Sequence, residues 1–273
     1  MAILFFKKIK NARDFSGIRT RSGKVIHNKR LIRSDCLYKA TEKDVAHLQR
    51  LGVNLILDLR TAQEASEKPN VPVPGTETLS ISVVDEQTTG ITREDGGTIH
   101  SMTKNADSRA DLRSKVPDLS VMYPKVALDR GAQTRFGEAV RTVMEWVADD
   151  KGTVLFHCTA GKDRTGILAL ILLEALDVPR QAIYHDYMLT NLSANHESRK
   201  YYFLALVFKL DRKLARKAYY ALRCERRYLD AFYAAVEKEY GSVSEFTRTA
   251  LGVPDELVAR FREAMLRNVP AHT

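Results

Sequence analysis

The sequence TVLFHCTAGKDRTG at residues 153–166 decides the fold of this chain. The apolar run 154–156 is rich in residues that favour β-structure, so it predicts a buried parallel strand. The apolar run 167–176 predicts a helix that is packed on more than one side. A tight loop between them would aim successive backbone N–H groups into one concavity, at the positive end of the helix. Such a concavity binds a doubly charged anion.

Two residues of this loop, six positions apart, indicate catalysis. The N–H dipoles, the helix N-terminus and nearby cations would favour the thiolate of Cys158, which would then be a nucleophile at neutral pH. The planar fork of Arg164 can hold two oxygens of a phosphoryl group. Gly161 allows the backbone conformation and the close approach that a turn around phosphate needs. The pattern predicts in-line attack on phosphorus, a cysteinyl-phosphate intermediate and hydrolysis by water.

The string HCTAGKDRTG at residues 157–166 contains the HCxxGxxR signature of the cysteine-dependent protein tyrosine phosphatases. In full it resembles the bacterial and fungal tyrosine phosphatase-like group, which includes secreted, lipid-active phosphatases. Residues 11–14 and 33–35 are similar to the N-terminal landmarks of that family, where they either join the first strands to the core or contact substrate. The resemblance implies an α/β fold: a central, mostly parallel sheet flanked by helices, with helical lid or cap insertions.

Three aspartates are candidates for the general acid of the site. Many tyrosine phosphatases place an aspartate in a Trp-Pro-Asp loop, but the single tryptophan here, Trp146, lies in a predicted helix. The resemblance implies that Asp163, inside the loop, is the acid and later the base for the attacking water. Asp129 and Asp58 are lesser candidates. The alternative for Asp163 is a loop-shaping hydrogen bond or a salt link to a neighbouring cation.

Further loop residues complete the predicted site. Thr165 can donate to the thiolate and ease its departure, whereas His157 is expected to orient the loop. We expect the substrate to be held by four successive residues of the loop, Thr159, Ala160, Gly161 and Lys162. Lys162 resembles the same position in phosphoinositide 3-phosphatases and would attract substrates with several phosphates; otherwise it is a solvated surface lysine.

A second strand should bring polar residues to the same place. The apolar run 53–57 predicts a buried strand that ends in Asp58-Leu59-Arg60. Ligands of open parallel sheets bind beyond the carboxyl ends of the strands, so Asp58 and Arg60 should lie near the Cys158 loop. They either contact the substrate or brace the loop through hydrogen bonds, and bracing is favoured.

The charge of the chain is concentrated in one segment. The net charge is +9, and residues 199–227 contain ten Lys or Arg against Asp211 and Glu225, a local net charge of +8. This segment predicts an anionic partner: a phosphorylated protein, a phosphoinositide substrate or an anionic membrane surface. Nucleic acid is a weaker prediction, because no nucleic-acid-binding motif accompanies the charge.

The three cysteines, far apart in the sequence, indicate a reducing compartment rather than disulfides. Cys36 and Cys224 are interpreted as small core or surface residues, and a resolving role toward oxidised Cys158 has little support. No zinc-binding spacing is present, so we expect no metal and no cofactor. With no apolar run long enough for a bilayer span, the predicted location is the cytoplasm, or outside the cell after export without a conventional signal peptide.

We expect a single phosphatase-like domain over residues 1–273, with lid or cap segments at 86–130 and 191–225. The sequence also predicts a strand at 79–84, a helix at 133–149 and separate helices at 183–189 and 197–222. A catalytically weak module that only binds phosphorylated partners is the main alternative function. A sulfur-transferring, rhodanese-like loop fits less well, because Arg164 is suited to a tetrahedral dianion.

Overall fold

A computed structural model of the chain describes residues 2–27, 30–83, 119–207, 219–220 and 223–268. The strands are β1 (Arg13–Asp14), β2 (Val25–Ile26), β3 (Leu31–Ser34), β4 (Val53–Asp58), β5 (Glu77–Ser80), β6 (Thr153–His157) and β7 (Leu266–Arg267). The helices are α1 (Glu42–Arg50), α2 (Ala62–Glu67), α3 (Leu119–Leu128), α4 (Arg130–Ala148), α5 (Asp163–Ala175), α6 (Arg180–Val207), α7 (Arg226–Tyr240), α8 (Val243–Thr249) and α9 (Asp255–Met265).

Five strands form the central sheet in the order β1-β3-β6-β4-β5. Strands β3, β6, β4 and β5 run parallel, and β1 pairs with β3 in the antiparallel direction. A second sheet joins β2 to β7 near the two ends of the chain. The mostly parallel sheet flanked by helices confirms the predicted α/β fold class.

Side chains on the two faces of the sheet enter different cores. Ile32, Leu155 and Ile56 are paired across three neighbouring strands, and all three point into a small core closed by α1. Their neighbours along the strands, such as Val154 and Phe156, point into a larger core formed with α4, α5 and α7. Successive side chains of a β-strand point to opposite faces of the sheet, which explains this alternation. Because both faces are covered, the middle of β6, residues 154–156, is apolar on both faces, as parallel strands usually are.

Three predicted boundaries differ from the structure. The helices predicted at 183–189 and 197–222 begin as one helix, Arg180–Val207, because residues 180–207 contain no glycine or proline to end it. The strand predicted at 79–84 is Glu77–Ser80, since its pairing partner β4 ends at Asp58, opposite Ser80. Helix α4 begins at Arg130 rather than at residue 133, because the Asp129 side chain caps it.

The lid or cap segments stay a prediction. Within the predicted segment 86–130, residues 119–128 form α3 and residue 130 begins α4. Within the predicted segment 191–225, residues 191–207 belong to α6. Residues 86–118, 208–218 and 221–222 lie outside the described part of the chain. Of the helices that the structure describes, none combines the length and the apolar composition needed to cross a membrane.

Candidate active site

Three parallel strands end side by side at the site. Ser34, the last residue of β3, is paired with His157, the last residue of β6, and His157 is paired with Asp58, the last residue of β4. The Cys158 loop, residues 158–162, follows β6 directly and leads into α5. The prediction that Asp58 and the loop share the carboxyl edge of the sheet is therefore confirmed.

Gly161 is needed for the close approach between the loop and β3. Its φ of +66° lies in the left-handed region that side chains rarely adopt. A Cβ atom at this position would lie 2.2 Å from the carbonyl oxygen of Ser34, which is backbone and cannot move aside. The sequence indicated a glycine for approach to phosphate, whereas the structure shows that the neighbouring strand imposes it.

The carbonyl oxygens of the loop are held from behind. The Asn11 side-chain amide donates to the carbonyl oxygens of Ala160 (3.2 Å) and Gly161 (2.9 Å). Arg33 Nη2 donates to the Gly161 carbonyl as well, at 2.8 Å. In a trans peptide the N–H group points opposite to the C=O group. The N–H groups of Gly161 and Lys162 therefore point away from Asn11 and Arg33.

A buried carboxylate fixes the two arginines behind the loop. Asp186 of α6 accepts from Arg13 Nε at 2.7 Å and from Arg33 Nη1 at 2.5 Å, and all three side chains are almost fully buried. Burial raises the pKa of Asp186, but the charges of Arg33 and Arg13 outweigh it and hold the pKa below its usual value. Arg13 also donates to the Asn11 side chain at 2.6 Å, so Asn11 and Arg33 are both anchored through this cluster.

The predicted nucleophile, Cys158, is fully buried at the start of the loop. Thr165 Oγ1 donates to Cys158 Sγ at 3.0 Å, the contact expected from the sequence. A hydroxyl that donates to sulfur favours the thiolate over the thiol.

The predicted phosphate-gripping residue, Arg164, is held by Glu64 at the start of α2. Arg164 Nη1 donates to Glu64 Oε2 at 2.6 Å and Nη2 donates to Oε1 at 2.8 Å, a bidentate pair. Thr159 Oγ1 donates to the same carboxylate at 2.8 Å. The pair fixes the plane of the guanidinium group next to the loop.

Glu64 has two functions at once. Its Oε2 also accepts from the backbone N–H of Thr61 and completes a capping box for α2. Burial raises the pKa of Glu64, but the hydrogen bonds and charge of Arg164 outweigh this effect, and the pKa falls to about 2. Glu64 is therefore ionised at neutral pH and keeps Arg164 in place.

Asp58 and Arg60 brace the edge of the sheet. Arg60 Nε and Nη2 donate to the two oxygens of Asp58 at 2.9 and 2.6 Å, and Arg60 Nη1 donates to the Lys68 carbonyl at 2.7 Å. Both side chains are about 2% exposed. These contacts agree with the bracing interpretation.

The contacts of His157 agree with the prediction that it orients the loop. Its Nδ1 lies 2.9 Å from the carbonyl oxygen of Cys158, and its Nε2 lies 3.0 Å from the amide nitrogen of Asn70. Both contacts are satisfied when Nδ1 carries the proton and Nε2 accepts. Burial lowers the pKa of His157, so the ring is neutral at pH 7.

Asp163, the predicted acid, is the first residue of α5 and is about 2% exposed. Its Oδ2 lies 3.1 Å from Lys162 Nζ, and its Oδ1 accepts from the Tyr123 hydroxyl at 2.5 Å. Lys162 is itself buried against Asp163 and is not a solvated surface lysine. Asp129 instead accepts from the backbone N–H of Ala132 as the cap of α4, which is a structural role.

Sequence reasoning did not assign roles to several residues of the site. The capping-box spacing from Thr61 to Glu64 was visible in the sequence and would have placed Glu64 beside the end of β4. Asp186, Tyr123 and Tyr187 have no pattern in the sequence around them that indicates a place in the site.

Cys224 agrees with its interpretation as a small core residue. It is buried, and burial raises its pKa to about 12, so its thiol stays protonated. Among the described residues, no three His, Cys, Asp or Glu side chains are placed to hold a metal ion.

Comparison with known proteins gives one consistent result. The family model described as "Tyrosine phosphatase family" matches residues 4–267. A Cupriavidus necator protein provisionally named a tyrosine-protein phosphatase is 30% identical over 251 residues, covering 92% of this chain and 84% of the relative. A tyrosine-protein phosphatase of Nostoc commune is 31% identical over 162 residues, 58% of this chain and 47% of the relative. The triple specificity protein phosphatase PtpB of Mycobacterium tuberculosis is 26% identical over 255 residues, 87% of this chain and 91% of the relative.

Proposed function

Since this chain belongs to the tyrosine phosphatase family and is a phosphoric monoester hydrolase of that type, we propose that it hydrolyses phosphotyrosine through a cysteinyl-phosphate intermediate on Cys158. One observation carries the proposal: a buried thiol that accepts from Thr165 begins the loop that leads to an arginine held bidentately by Glu64. A module that only binds phosphorylated partners would need the anion site, but it would have no use for a hydroxyl directed at the sulfur.

The first step transfers the phosphoryl group to the enzyme. The Cys158 thiolate attacks phosphorus in line with the leaving oxygen, an S–P bond forms and the P–O bond to the alcohol breaks. Asp163 begins this step as the protonated carboxylic acid, gives its proton to the leaving oxygen and becomes a carboxylate. Arg164 grips the equatorial oxygens: a guanidinium has five N–H donors, and the bidentate pair with Glu64 does not by itself exhaust them.

The second step returns the enzyme to its starting state. Water attacks the phosphorus of the intermediate, Asp163 takes a proton from that water, and the S–P bond breaks with the electron pair returning to sulfur. The Thr165 hydroxyl, 3.0 Å from Sγ, stabilises the departing thiolate. The N–H groups of Gly161 and Lys162 hold the phosphoryl oxygens through both steps.

We propose a substrate range wider than phosphotyrosine, including phosphoserine and phosphothreonine. The likeness to a phosphatase whose name states triple specificity supports this range. Phosphoinositides are the less supported extension, because the ammonium group of Lys162, predicted to meet a second phosphate, lies 3.1 Å from Asp163. The anionic membrane surface predicted as a partner belongs to the same extension.

The test is turnover with a metal chelator present, on a phosphotyrosine peptide, a phosphoserine peptide and phosphoinositide vesicles. Acid quenching during turnover of a radiolabelled phosphotyrosine peptide should leave label on wild-type protein and none on Cys158→Ser. Hydrolysis of the vesicles alone would reject the peptide as the substrate class. Wild-type turnover by Cys158→Ser, or label on another residue, would reject Cys158 as the nucleophile.

A further inference from the structure

Two buried tyrosines form a hydrogen-bonded chain that ends on Asp163. The Tyr123 hydroxyl of α3 lies 2.5 Å from Asp163 Oδ1 and 2.6 Å from the hydroxyl of Tyr187 of α6. Each hydroxyl has a single proton. Because the Tyr123 proton is donated to the carboxylate, the Tyr187 hydroxyl is the donor to Tyr123.

We propose that Tyr123 is a positioning residue for the acid–base chemistry of Asp163, and that Tyr187 positions Tyr123. Tyr123 holds one carboxylate oxygen while Lys162 Nζ holds the other, so rotation of the carboxyl group is restrained on both sides. A restrained carboxyl group loses less entropy when it meets the leaving oxygen, and later the water, in the reactive geometry. This inference rests on the proposed role of Asp163.

The two rings are themselves held firmly. Tyr228 of α7 stacks on Tyr123 with ring centroids 5.7 Å apart. Tyr187 packs against Gly166 in the first turn of α5: a Cβ atom at Gly166 would lie 3.0 Å from two ring carbons of Tyr187. The glycine therefore lets Tyr187 come close to the helix that begins with Asp163.

The hydroxyls of Tyr123 and Tyr187 remain protonated and can therefore always donate a hydrogen bond. Both are fully buried, and burial raises the pKa of Tyr123 and of Tyr187 well above the usual value. Neither hydroxyl ionises at physiological pH, so both retain the proton that the chain needs. Asp163 also faces the charge of Lys162 and lies close enough to interact with Cys224 and Tyr228.

Tyr123→Phe tests the inference, because it removes the hydroxyl and keeps the ring. Turnover is measured on aryl phosphates whose leaving groups run from nitrophenol to phenol. We expect kcat/KM to fall roughly tenfold for phenyl phosphate, part of the roughly 10²- to 10⁴-fold that a general acid contributes, and to change little for nitrophenyl phosphate. Tyr187→Phe should give the same pattern with a smaller amplitude.

Tyr228→Phe is the matched control. It keeps the ring stacked on Tyr123 and removes a hydroxyl that donates to the Tyr220 carbonyl oxygen at 3.2 Å, not to Asp163. We expect no change in the dependence on the leaving group. A uniform loss in Tyr123→Phe across all leaving groups would overturn the inference and leave Tyr123 as a packing residue.

The double variant separates this inference from the proposed function. If Asp163→Asn alone slows all leaving groups equally, the proposed acid role fails, whatever Tyr123 does. If Asp163→Asn slows the poor leaving groups selectively, adding Tyr123→Phe should cause no further selective loss, because Tyr123 acts through the missing carboxylate. Fully additive losses in the double variant would contradict a positioning role.

Discussion

The back and the front of the Cys158 loop are built from different kinds of contact. At the back, Asn11 and Arg33 hold loop carbonyls, and Asp186 holds two arginines, so buried polar groups are paired with other protein groups. At the front, Cys158 and Arg164 each have a protein contact and also a proposed part in the reaction. From this difference we expect the back to determine the shape of the loop and the front to carry out the proposed chemistry. Substitutions at the back should change stability, whereas those at the front should change turnover.

Cys158→Ser should have the largest effect, and only on turnover. We expect kcat to fall on the order of 10⁴-fold or more, equivalent to about 5.5 kcal/mol of activation free energy, since a hydroxyl is a far weaker nucleophile. The free energy of unfolding should change by less than about 1 kcal/mol, and phosphate should still bind. Steady-state kinetics, urea unfolding and phosphate titration measure the three quantities.

Cys36→Ser is the control for loss of a thiol, because Cys36 lies beside the loop and contacts it through its backbone N–H. Its turnover should stay within about tenfold of wild type. Loss of phosphate binding in Cys158→Ser would show that the front side chains also shape the loop.

Asp186→Asn should have the second largest effect, and on stability. It leaves two buried guanidinium groups without their carboxylate, so we expect the free energy of unfolding to fall by about 3–5 kcal/mol. Asp177→Asn removes a partly exposed partner of Arg21 and should cost under about 1 kcal/mol. Chemical denaturation measures both. Unchanged stability with reduced kcat in Asp186→Asn would place the back of the loop in the chemistry.

Arg164→Lys keeps the charge and loses the bidentate geometry. We expect kcat/KM to fall roughly 10²- to 10³-fold, or about 2.7–4 kcal/mol, the range seen when a transition-state donor is removed. Arg60→Lys alters a similar buried pair that touches Asp58 and the Lys68 carbonyl, so it should lower stability more than turnover. Equal kinetic losses in the two variants would indicate that both pairs only brace the site.

Glu64→Gln should have the smallest effect and a characteristic pH dependence. The pKa of Glu64 in the folded protein is about 2, below the roughly 4.3 of an unfolded chain. The ionised carboxylate therefore stabilises the fold above about pH 4.3, by roughly 2–3 kcal/mol, and this stabilisation is lost as the pH falls toward 2. Wild type should be the more stable protein at pH 7, and the difference should shrink toward pH 2.

Glu67→Gln, an exposed position of the same helix, is the control and should change stability by less than about 0.5 kcal/mol at any pH. Unfolding at a series of pH values gives the comparison. A stability difference in Glu64→Gln that does not depend on pH would mean that the charge of Glu64 is not what supports Arg164.

The front of the loop could be predicted from the sequence because its residues are neighbours in the chain. Cys158, Arg164 and Thr165 fall within eight positions, and the rule for parallel sheets placed Asp58 beside them. The back could not be predicted, since Asp186 lies 153 positions from Arg33, and one acidic residue in a helix has no distinctive pattern. Tyr123 could not be predicted either, because tertiary packing brings its hydroxyl to Asp163, 40 positions along the chain.

The contacts behind the loop lead us to expect a particular order of events when the chain folds. The hydrogen bonds that run from Asn11, Arg13 and Arg33 to the loop and to Asp186 join residues 128 to 173 positions apart. Contacts of such long range form late, because the entropy of closing the chain must be overcome before they stabilise anything. During synthesis, Arg13 of β1 can pair with Asp186 only after residue 186 has left the ribosome. On refolding, the recovery of phosphatase activity should lag behind the recovery of helical circular dichroism.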